Sequence, residues 1–201
     1  KNGIPCAIVG ETNAGKSTMM NWMLDAFEDK PGKKVFEKDM LFATLDTTIR
    51  KINPGNGNPA FLLSDTVGFI NKLPHSLVKA FHSTLEEVTF ADVILQVVDA
   101  SDEHHADHIR VTQETLKELG AETIPCIYVY NKAERIHPRE KLPFIVGDKI
   151  YLSAKEQIGM DALLNMLYET LFGSQKKCDF LLPLSRGDIL NTLFKTTVVS
   201  S

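Results

Sequence analysis

The chain has 201 residues, which is enough for one domain with a hydrophobic core, or for one domain with a short appendage. Hydrophobic residues make up 43% of the chain and charged residues 24%, as is typical of globular proteins. The formal net charge of −4 does not favour nucleic-acid binding, although a chain with this net charge can still have a local basic face. No apolar run is long enough to span a membrane, and no signal peptide is visible.

The three cysteines indicate a reducing environment. Cys6 and Cys126 lie in apolar, strand-like runs, and no pair among these and Cys178 has the spacing of metal ligands. We therefore predict reduced and buried thiols in a reducing compartment. The chain starts only a few residues before its first predicted strand, and we expect it to be a fragment of a longer protein.

A glycine-rich segment follows the first predicted strand. Residues 4–9 form an apolar run typical of a buried strand, and residues 18–27 favour a helix. Between them Gly10 to Ser17 reads GETNAGKS and matches the pattern GxxxxGK[ST] at every fixed position. Such glycines let backbone N–H groups surround a phosphate, and the helix N-terminus adds partial positive charge.

The segment therefore predicts a P-loop. Lys16 would reach the β- and γ-phosphates of a nucleotide, and the Ser17 hydroxyl would bind Mg²⁺. The candidate nucleotide-binding residues of this segment are Asn13, Ala14, Gly15, Lys16, Ser17 and Thr18.

The following loop contains candidate switch residues. Residues 40–50 show little helical periodicity, and we predict a loop that leads into an edge strand. Thr48 in this loop is a candidate to close over Mg²⁺ and the γ-phosphate, although on position alone Thr44 and Thr47 are rivals. Residues 53–59 are dense in turn residues and predict a hairpin.

A second phosphate motif ends the next predicted strand, residues 60–64. The segment Asp65 to Gly68 matches the pattern DxxG. Its carboxylate belongs near the metal, usually through water, and the Gly68 N–H can meet a γ-phosphate because no side chain blocks it. The predicted metal ligands are thus Ser17, Thr48 and Asp65, and the predicted catalytic residues are Lys16, Thr48 and Gly68.

The remainder alternates strands and helices. The predicted helices cover residues 77–88, 103–119 and 160–172, and the predicted strands cover residues 91–98, 124–130 and 149–152. We predict an α/β fold with a doubly wound, mostly parallel sheet, one antiparallel edge strand and helices on both faces. Ligands of such sheets bind at the carboxyl ends of the strands, and each motif follows a strand.

Two later segments favour recognition of guanine. Asn131-Lys132-Ala133-Glu134 is similar to the NKxD element, in which an aspartate accepts hydrogen bonds from the guanine N1–H and N2–H₂. Glu134 keeps the charge and both oxygens but is one methylene longer. Ser153-Ala154-Lys155 matches the SAK loop, which contacts the guanine carbonyl through backbone N–H.

Further motifs resemble those of HflX-type GTPases of the translation-factor class, within residues 4–172. They are LFATLD at 41–46, DTVGFI at 65–70, LPH at 73–75 and TLEE at 84–87. The resemblance implies a Ras-like P-loop G domain over residues 1–173. It also implies a linker with the start of a C-terminal extension over 174–201, where residues 184–188 match. The N-terminal domain and helical linker of a full-length member are not in the sequence.

The resemblance also implies a function. A member of this group would bind GTP or GDP with Mg²⁺, hydrolyse GTP and act on the large ribosomal subunit in ribosome splitting or rescue. We expect ribosome contacts mainly through regions outside this chain, no membrane contact, and a monomer in the cytoplasm or in an organelle with its own ribosomes. Thr48 aligns with the switch threonine of the group. Thr47 in place of a proline and Glu134 in place of aspartate depart from its pattern.

The residue after DxxG predicts slow intrinsic hydrolysis. Ras-like GTPases use a glutamine there to orient the attacking water, and Phe69 cannot hydrogen-bond a water. We therefore expect a partner to help order the attacking water or the switch segments. Two alternatives stay open: an ATPase or purine-promiscuous NTPase, and a nucleotide-binding module with negligible hydrolysis.

One histidine pair has metal-like spacing. His104 and His108 are spaced i, i+4 at the start of a predicted helix. No carboxylate or cysteine constellation in the sequence completes a site, so we interpret this pair as part of a solvated helix start.

Overall fold

The computed structural model describes residues 3–27, 48–55, 58–65, 87–173 and 189. Several predicted features lie outside these ranges. They are Thr44, Thr47, Gly68, Phe69, most of the predicted helix 77–88, and residues 174–201 apart from Ile189.

A mostly parallel sheet of seven strands organises the described residues. In chain order the strands are β1 Ile4–Gly10, β2 Thr48–Ile52, β3 Phe61–Asp65, β4 Val93–Asp99, β5 Cys126–Asn131, β6 Phe144–Val146 and β7 Lys149–Tyr151. Their order in the sheet is β2-β3-β1-β4-β5-β7-β6. The pairs β1–β3, β1–β4, β4–β5 and β5–β7 are parallel. Each predicted strand that falls within the described residues is found within two residues of its predicted bounds.

Antiparallel strands lie at both edges of this sheet. The predicted edge strand is β2, which pairs antiparallel with β3. It begins at Thr48, so the prediction of a loop over residues 40–50 is wrong for residues 48–50. At the opposite edge β6 pairs antiparallel with β7. Strand β6 is not among the predicted strands, because a run of three residues is too short to show a period-2 pattern.

Three α-helices cover the sheet in the described part of the chain. They are α1 Lys16–Phe27, α2 His105–Glu118 and α3 Met160–Phe172, as predicted to within two residues at each end. Short 3₁₀ helices span Glu87–Phe90, Ala133–Arg135 and Arg139–Lys141. None of the helices in the described ranges combines the length and apolar character needed to cross a bilayer.

The core lies on both faces of the sheet. On one face Met19 and Met23 of α1 and Leu163 of α3 pack in a cluster with Ile8 of β1. On the other face Leu116 of α2 packs in a cluster with Ala7 and Val9 of β1, which alternate along the strand with Ile8. Successive side chains of a strand point to opposite faces, so a central strand covered twice is apolar throughout. This explains the continuous apolar run at residues 4–9.

Parallel pairing brings the carboxyl ends of the strands to one edge of the sheet. The P-loop follows β1 directly, while Asp65, Asp99 and Asn131 are the last residues of β3, β4 and β5. Ser153 follows β7 by two residues. The fold therefore places every described motif of the sequence analysis at the edge where ligands of such sheets bind.

Candidate nucleotide-binding site

The P-loop begins in a backbone conformation that requires glycine. Gly10 has φ +144° and Gly15 has φ +100°, values that L side chains rarely adopt. A Cβ on Gly10 would overlap the carbonyl oxygen of Val97 on the neighbouring strand, and a Cβ on Gly15 would overlap the Asn131 side chain. The loop thus runs against β4 and β5 with no room for a side chain at these two positions.

Lys16 lies inside the loop that precedes it. Its Nζ donates hydrogen bonds to the Gly10 carbonyl at 3.1 Å and the Glu11 carbonyl at 2.6 Å. The side chain is buried, and burial lowers the pKa of Lys16, while the charges of Asp65 and Glu11 oppose this shift. Lys16 is therefore a desolvated cation held by main-chain oxygens, which suits it to meet a phosphate.

Asp65 is a buried carboxylate at the end of β3. Only 3% of the residue is exposed, and burial raises its pKa to about 6, with Lys16 lowering it in part. Its Oδ1 is buried and has no hydrogen-bond partner among the described residues. Thr48 is the cross-strand partner of Asp65 in the β2–β3 pair, so the backbone brings these two predicted metal ligands together.

The residues around this carboxylate fit Mg²⁺. That ion prefers oxygen ligands, and a buried carboxylate oxygen without a donor gains most from a nearby cation. Asp65 supplies this oxygen, and the Ser17 hydroxyl lies next to Lys16 in the first turn of α1. These two residues would hold Mg²⁺, with Thr48 as the third predicted ligand.

Asn131 connects the P-loop to the SAK loop. It is buried, its Nδ2 donates to the Ala14 carbonyl at 2.8 Å, and its Oδ1 accepts a hydrogen bond from the Ala154 amide at 2.9 Å. One side chain thus fixes the distance between the phosphate-binding segment and the predicted base-binding segment. The Ala154 amide therefore already has an acceptor within the protein.

Glu134 presents an acceptor without a donor. It lies in the 3₁₀ helix Ala133–Arg135, and the Ala133 amide donates to the Leu152 carbonyl at 3.1 Å, which ties this helix to the end of β7. The Glu134 Oε2 atom is buried and has no hydrogen-bond partner in the described ranges. A buried and unpaired carboxylate oxygen is costly, so this atom is suited to accept from a bound base.

Asp99 is a site residue that the sequence analysis missed. Its Oδ2 accepts a hydrogen bond from Lys132 Nζ at 2.7 Å, and its Oδ1 accepts from the Ser101 amide and hydroxyl at 3.0 and 2.6 Å. Burial opposes ionisation of Asp99, but these hydrogen bonds outweigh it and hold its pKa below the usual value. Asp99 thereby fixes Lys132, whose backbone is left-handed with φ +60°. Its position at the end of β4 was the available signal.

The structure thus brings most predicted site residues to one edge of the sheet. The described ones are Asn13, Ala14, Gly15, Lys16, Ser17, Thr18, Thr48, Asp65, Asn131, Lys132, Glu134, Ser153, Ala154 and Lys155. Gly68 lies outside the described residues. A doubly wound sheet with a glycine-rich loop around a buried lysine defines a P-loop nucleotide-binding protein.

Comparison with known proteins identifies the family. The model of the family described as "50S ribosome-binding GTPase" matches residues 5–132, and the chain belongs to this family. It is 45% identical over 192 residues to GTPase HflX of Akkermansia muciniphila, covering 92% of this chain and 42% of that protein. GTPase HflX of Escherichia coli is 35% identical over 199 residues, covering 96% of this chain and 44% of that protein. These relatives confirm the HflX-type resemblance, and the chain spans less than half of their length.

Solved structures of G-domain proteins share the fold. A GTP-binding protein from Sulfolobus solfataricus in complex with GDP has a TM-score of 0.61 and 24% identity, covering 84% of this chain and 52% of that chain. A variant of Era from Aquifex aeolicus bound to GDP·AlF4− has a TM-score of 0.63 and 25% identity, covering 91% of this chain and 60% of that chain. The predicted fold class is confirmed.

Proposed function

We propose that this chain is the nucleotide-binding part of a GTP-hydrolysing switch protein that acts on the large ribosomal subunit. Family membership and HflX relatives that cover most of the chain support this proposal. Within it, residues 1–173 form the G domain, and 174–201 form a linker and the start of a C-terminal extension. The switch would operate in ribosome splitting or rescue, as a monomer, in the cytoplasm or a compartment with its own ribosomes.

The observation that carries the proposal is the Asn131 side chain. It donates a hydrogen bond to the P-loop at Ala14 and accepts one from the SAK loop at Ala154, which supports a single site for phosphate and base. Glu134, three residues further on, offers a buried oxygen without a donor. Guanine presents two N–H donors to such a carboxylate, whereas adenine would leave it unpaired. Guanine is therefore the base that this site favours.

The phosphate end of the site supports hydrolysis by charge stabilisation. Lys16 would donate to the β- and γ-phosphates from its place within the loop, since it is already desolvated and oriented. Ser17, Thr48 and Asp65 would hold Mg²⁺, which neutralises developing phosphate charge when bound. Gly68 would donate its amide to the γ-phosphate. Phe69 cannot orient water, so we propose that the ribosome completes the catalytic arrangement.

The test is GTP hydrolysis by this chain with and without purified large ribosomal subunits. We expect a slow basal rate and a rise of at least about tenfold with subunits, because partner-supplied groups contribute about 10³ or more in related chemistry. Small subunits serve as the control for unspecific stimulation, and Lys16→Ala serves as the control for contaminating activity. Equal turnover with and without large subunits would contradict the proposal that the ribosome completes the catalytic arrangement of this chain by contacting it directly.

A purine-promiscuous NTPase is the second candidate, and Glu134 is the observation that favours it. A glutamate is one methylene longer than the aspartate of NKxD, so it must retract to reach the same two donors. Competition of ATP against a labelled guanine nucleotide separates the two candidates. Displacement by ATP at concentrations similar to GTP would support the promiscuous enzyme.

A further inference from the structure

A cluster of one histidine and two carboxylates lies beside the phosphate-binding loop. His108 Nδ1 is 2.6 Å from Glu11 Oε2 and 3.5 Å from Asp102 Oδ2. One ligand atom from each of the three residues lies within 4.8 Å of the others. The side chains of His108 and Glu11 are only 13% and 17% exposed, and that of Asp102 is 31% exposed. The cluster is therefore partly shielded from water, with Asp102 as its most exposed member.

The fold assembles the cluster from three separate elements. Glu11 is the first residue after β1, Asp102 follows the neighbouring strand β4, and His108 lies in the first turns of α2. Asp102 Oδ1 accepts a hydrogen bond from the His104 amide at 2.8 Å, which leaves Oδ2 facing His108. The interpretation of His104 and His108 as a solvated helix start is therefore wrong for His108, whose side chain is largely buried against the carboxylates of Glu11 and Asp102.

The hydrogen bonding of the cluster is incomplete. Glu11 Oε1 is buried and has no hydrogen-bond partner among the described residues. His108 Nδ1 is close to Glu11 Oε2 but without hydrogen-bond geometry. Burial raises the pKa of Glu11, and the charge of His108 opposes this shift. Buried acceptors that face a ring nitrogen without a proper hydrogen bond are what a shared cation would satisfy.

We propose that Glu11, Asp102 and His108 form a binding site for a transition-metal ion of the Zn²⁺ class. One imidazole nitrogen and two carboxylate oxygens are a three-ligand set that suits zinc, with a further position for water. An imidazole ligand disfavours Mg²⁺ and Ca²⁺, which prefer all-oxygen surroundings. The site is distinct from the predicted Mg²⁺ ligands Ser17, Thr48 and Asp65.

The location links this site to the nucleotide. The carbonyl of Glu11 accepts the 2.6 Å hydrogen bond from Lys16 Nζ, so the metal-binding side chain and the phosphate-binding lysine meet at one residue. A divalent ion on the Glu11 carboxylate would also remove negative charge near Lys16.

The experiment measures Zn²⁺ binding to the 201-residue chain by calorimetry, with saturating GDP and excess Mg²⁺ to keep the nucleotide site occupied. Glu11→Gln removes one ligand at nearly constant volume, and His108→Asn removes another with a smaller polar side chain. His104→Asn is the matched control, because His104 lies on the same helix start and contributes only its amide to Asp102. Retained GDP binding and an unchanged circular dichroism spectrum show that each variant is folded.

We expect the parent chain and His104→Asn each to bind Zn²⁺ at one saturable site with similar affinity. Binding should be at least tenfold weaker in His108→Asn and Glu11→Gln. Co²⁺ in place of Zn²⁺ should give a visible absorption band that disappears in His108→Asn. The proposal is overturned if Zn²⁺ shows no saturable binding, which would leave a simple ion pair of Glu11 with His108. It is also overturned if folded His108→Asn binds Zn²⁺ as tightly as the parent chain.

Discussion

Asn131→Ala removes the side chain that joins the two halves of the nucleotide site. Asn131 is 3% exposed, and loss of its side chain leaves the Ala14 carbonyl and the Ala154 amide without their partner. Both of these residues are buried, so water cannot readily replace the lost hydrogen bonds. At about 2 kcal/mol for each orphaned group, the free energy of unfolding should fall by about 4 kcal/mol. For a chain of this size that is a fall in melting temperature of about 10 °C.

Calorimetric melting without nucleotide measures this loss, and GDP titration measures the effect on the site. Asn131→Asp is the matched control, because it keeps an acceptor for the Ala154 amide but loses the donor to the Ala14 carbonyl. We expect it to lose at least as much stability as Asn131→Ala, because a buried carboxylate oxygen then faces the Ala14 carbonyl oxygen at hydrogen-bond distance. The reasoning is refuted if Asn131→Ala melts within about 2 °C of the parent chain, since that corresponds to less than about 1 kcal/mol.

Three further changes test other parts of the site. Gly10→Ala should lower the free energy of unfolding by more than about 3 kcal/mol, because the added Cβ overlaps the Val97 carbonyl and the backbone has a φ of +144°. Urea denaturation measures this loss, and a loss below about 1 kcal/mol would contradict the prediction. Glu134→Asp should leave GTP affinity unchanged or raise it in calorimetry, and a clear loss would show that the surroundings suit glutamate. Asp99→Asn should weaken GDP binding by freeing Lys132, while Asp99→Glu should restore part of it. Because the pKa of Asp99 is held low, the ionised Asp99 side chain stabilises the fold at neutral pH. This stabilisation is lost as the pH falls below the usual aspartate range, and Asp99→Asn should not show that loss.

The parts of the fold that follow local patterns were predictable from the sequence. The P-loop at Gly10 to Ser17 is a contiguous motif, and its strand and helix are found where the sequence places them. The apolar runs that became β4 and β5 identify the central strands, because a strand covered on both faces has no polar side. Parallel strands in turn place Asp65 and Asn131 at one edge.

The contacts between distant segments could not be predicted in this way. The bond of Asn131 to Ala14 joins residues 117 apart, and that of Lys132 to Asp99 joins residues 33 apart. Neither spacing leaves a periodic signal, since these groups meet only through the registers of β1 against β4 and of β4 against β5. The cluster of Glu11 with His108 was missed for the same reason. Local spacing suggested His104 as the partner of His108, but the turn after β4 directs Asp102 there instead.

The measurement closest to the central claim is nucleotide competition by calorimetry in the presence and absence of Mg²⁺. The account predicts that GDP and GTP bind with Mg²⁺, that GTP binds more weakly without it, and that ATP binds at least about a hundredfold more weakly, as expected when an unpaired carboxylate rejects the wrong base. Failure to bind any guanine nucleotide with Mg²⁺ present would contradict the account, and so would equal affinities for GTP and ATP.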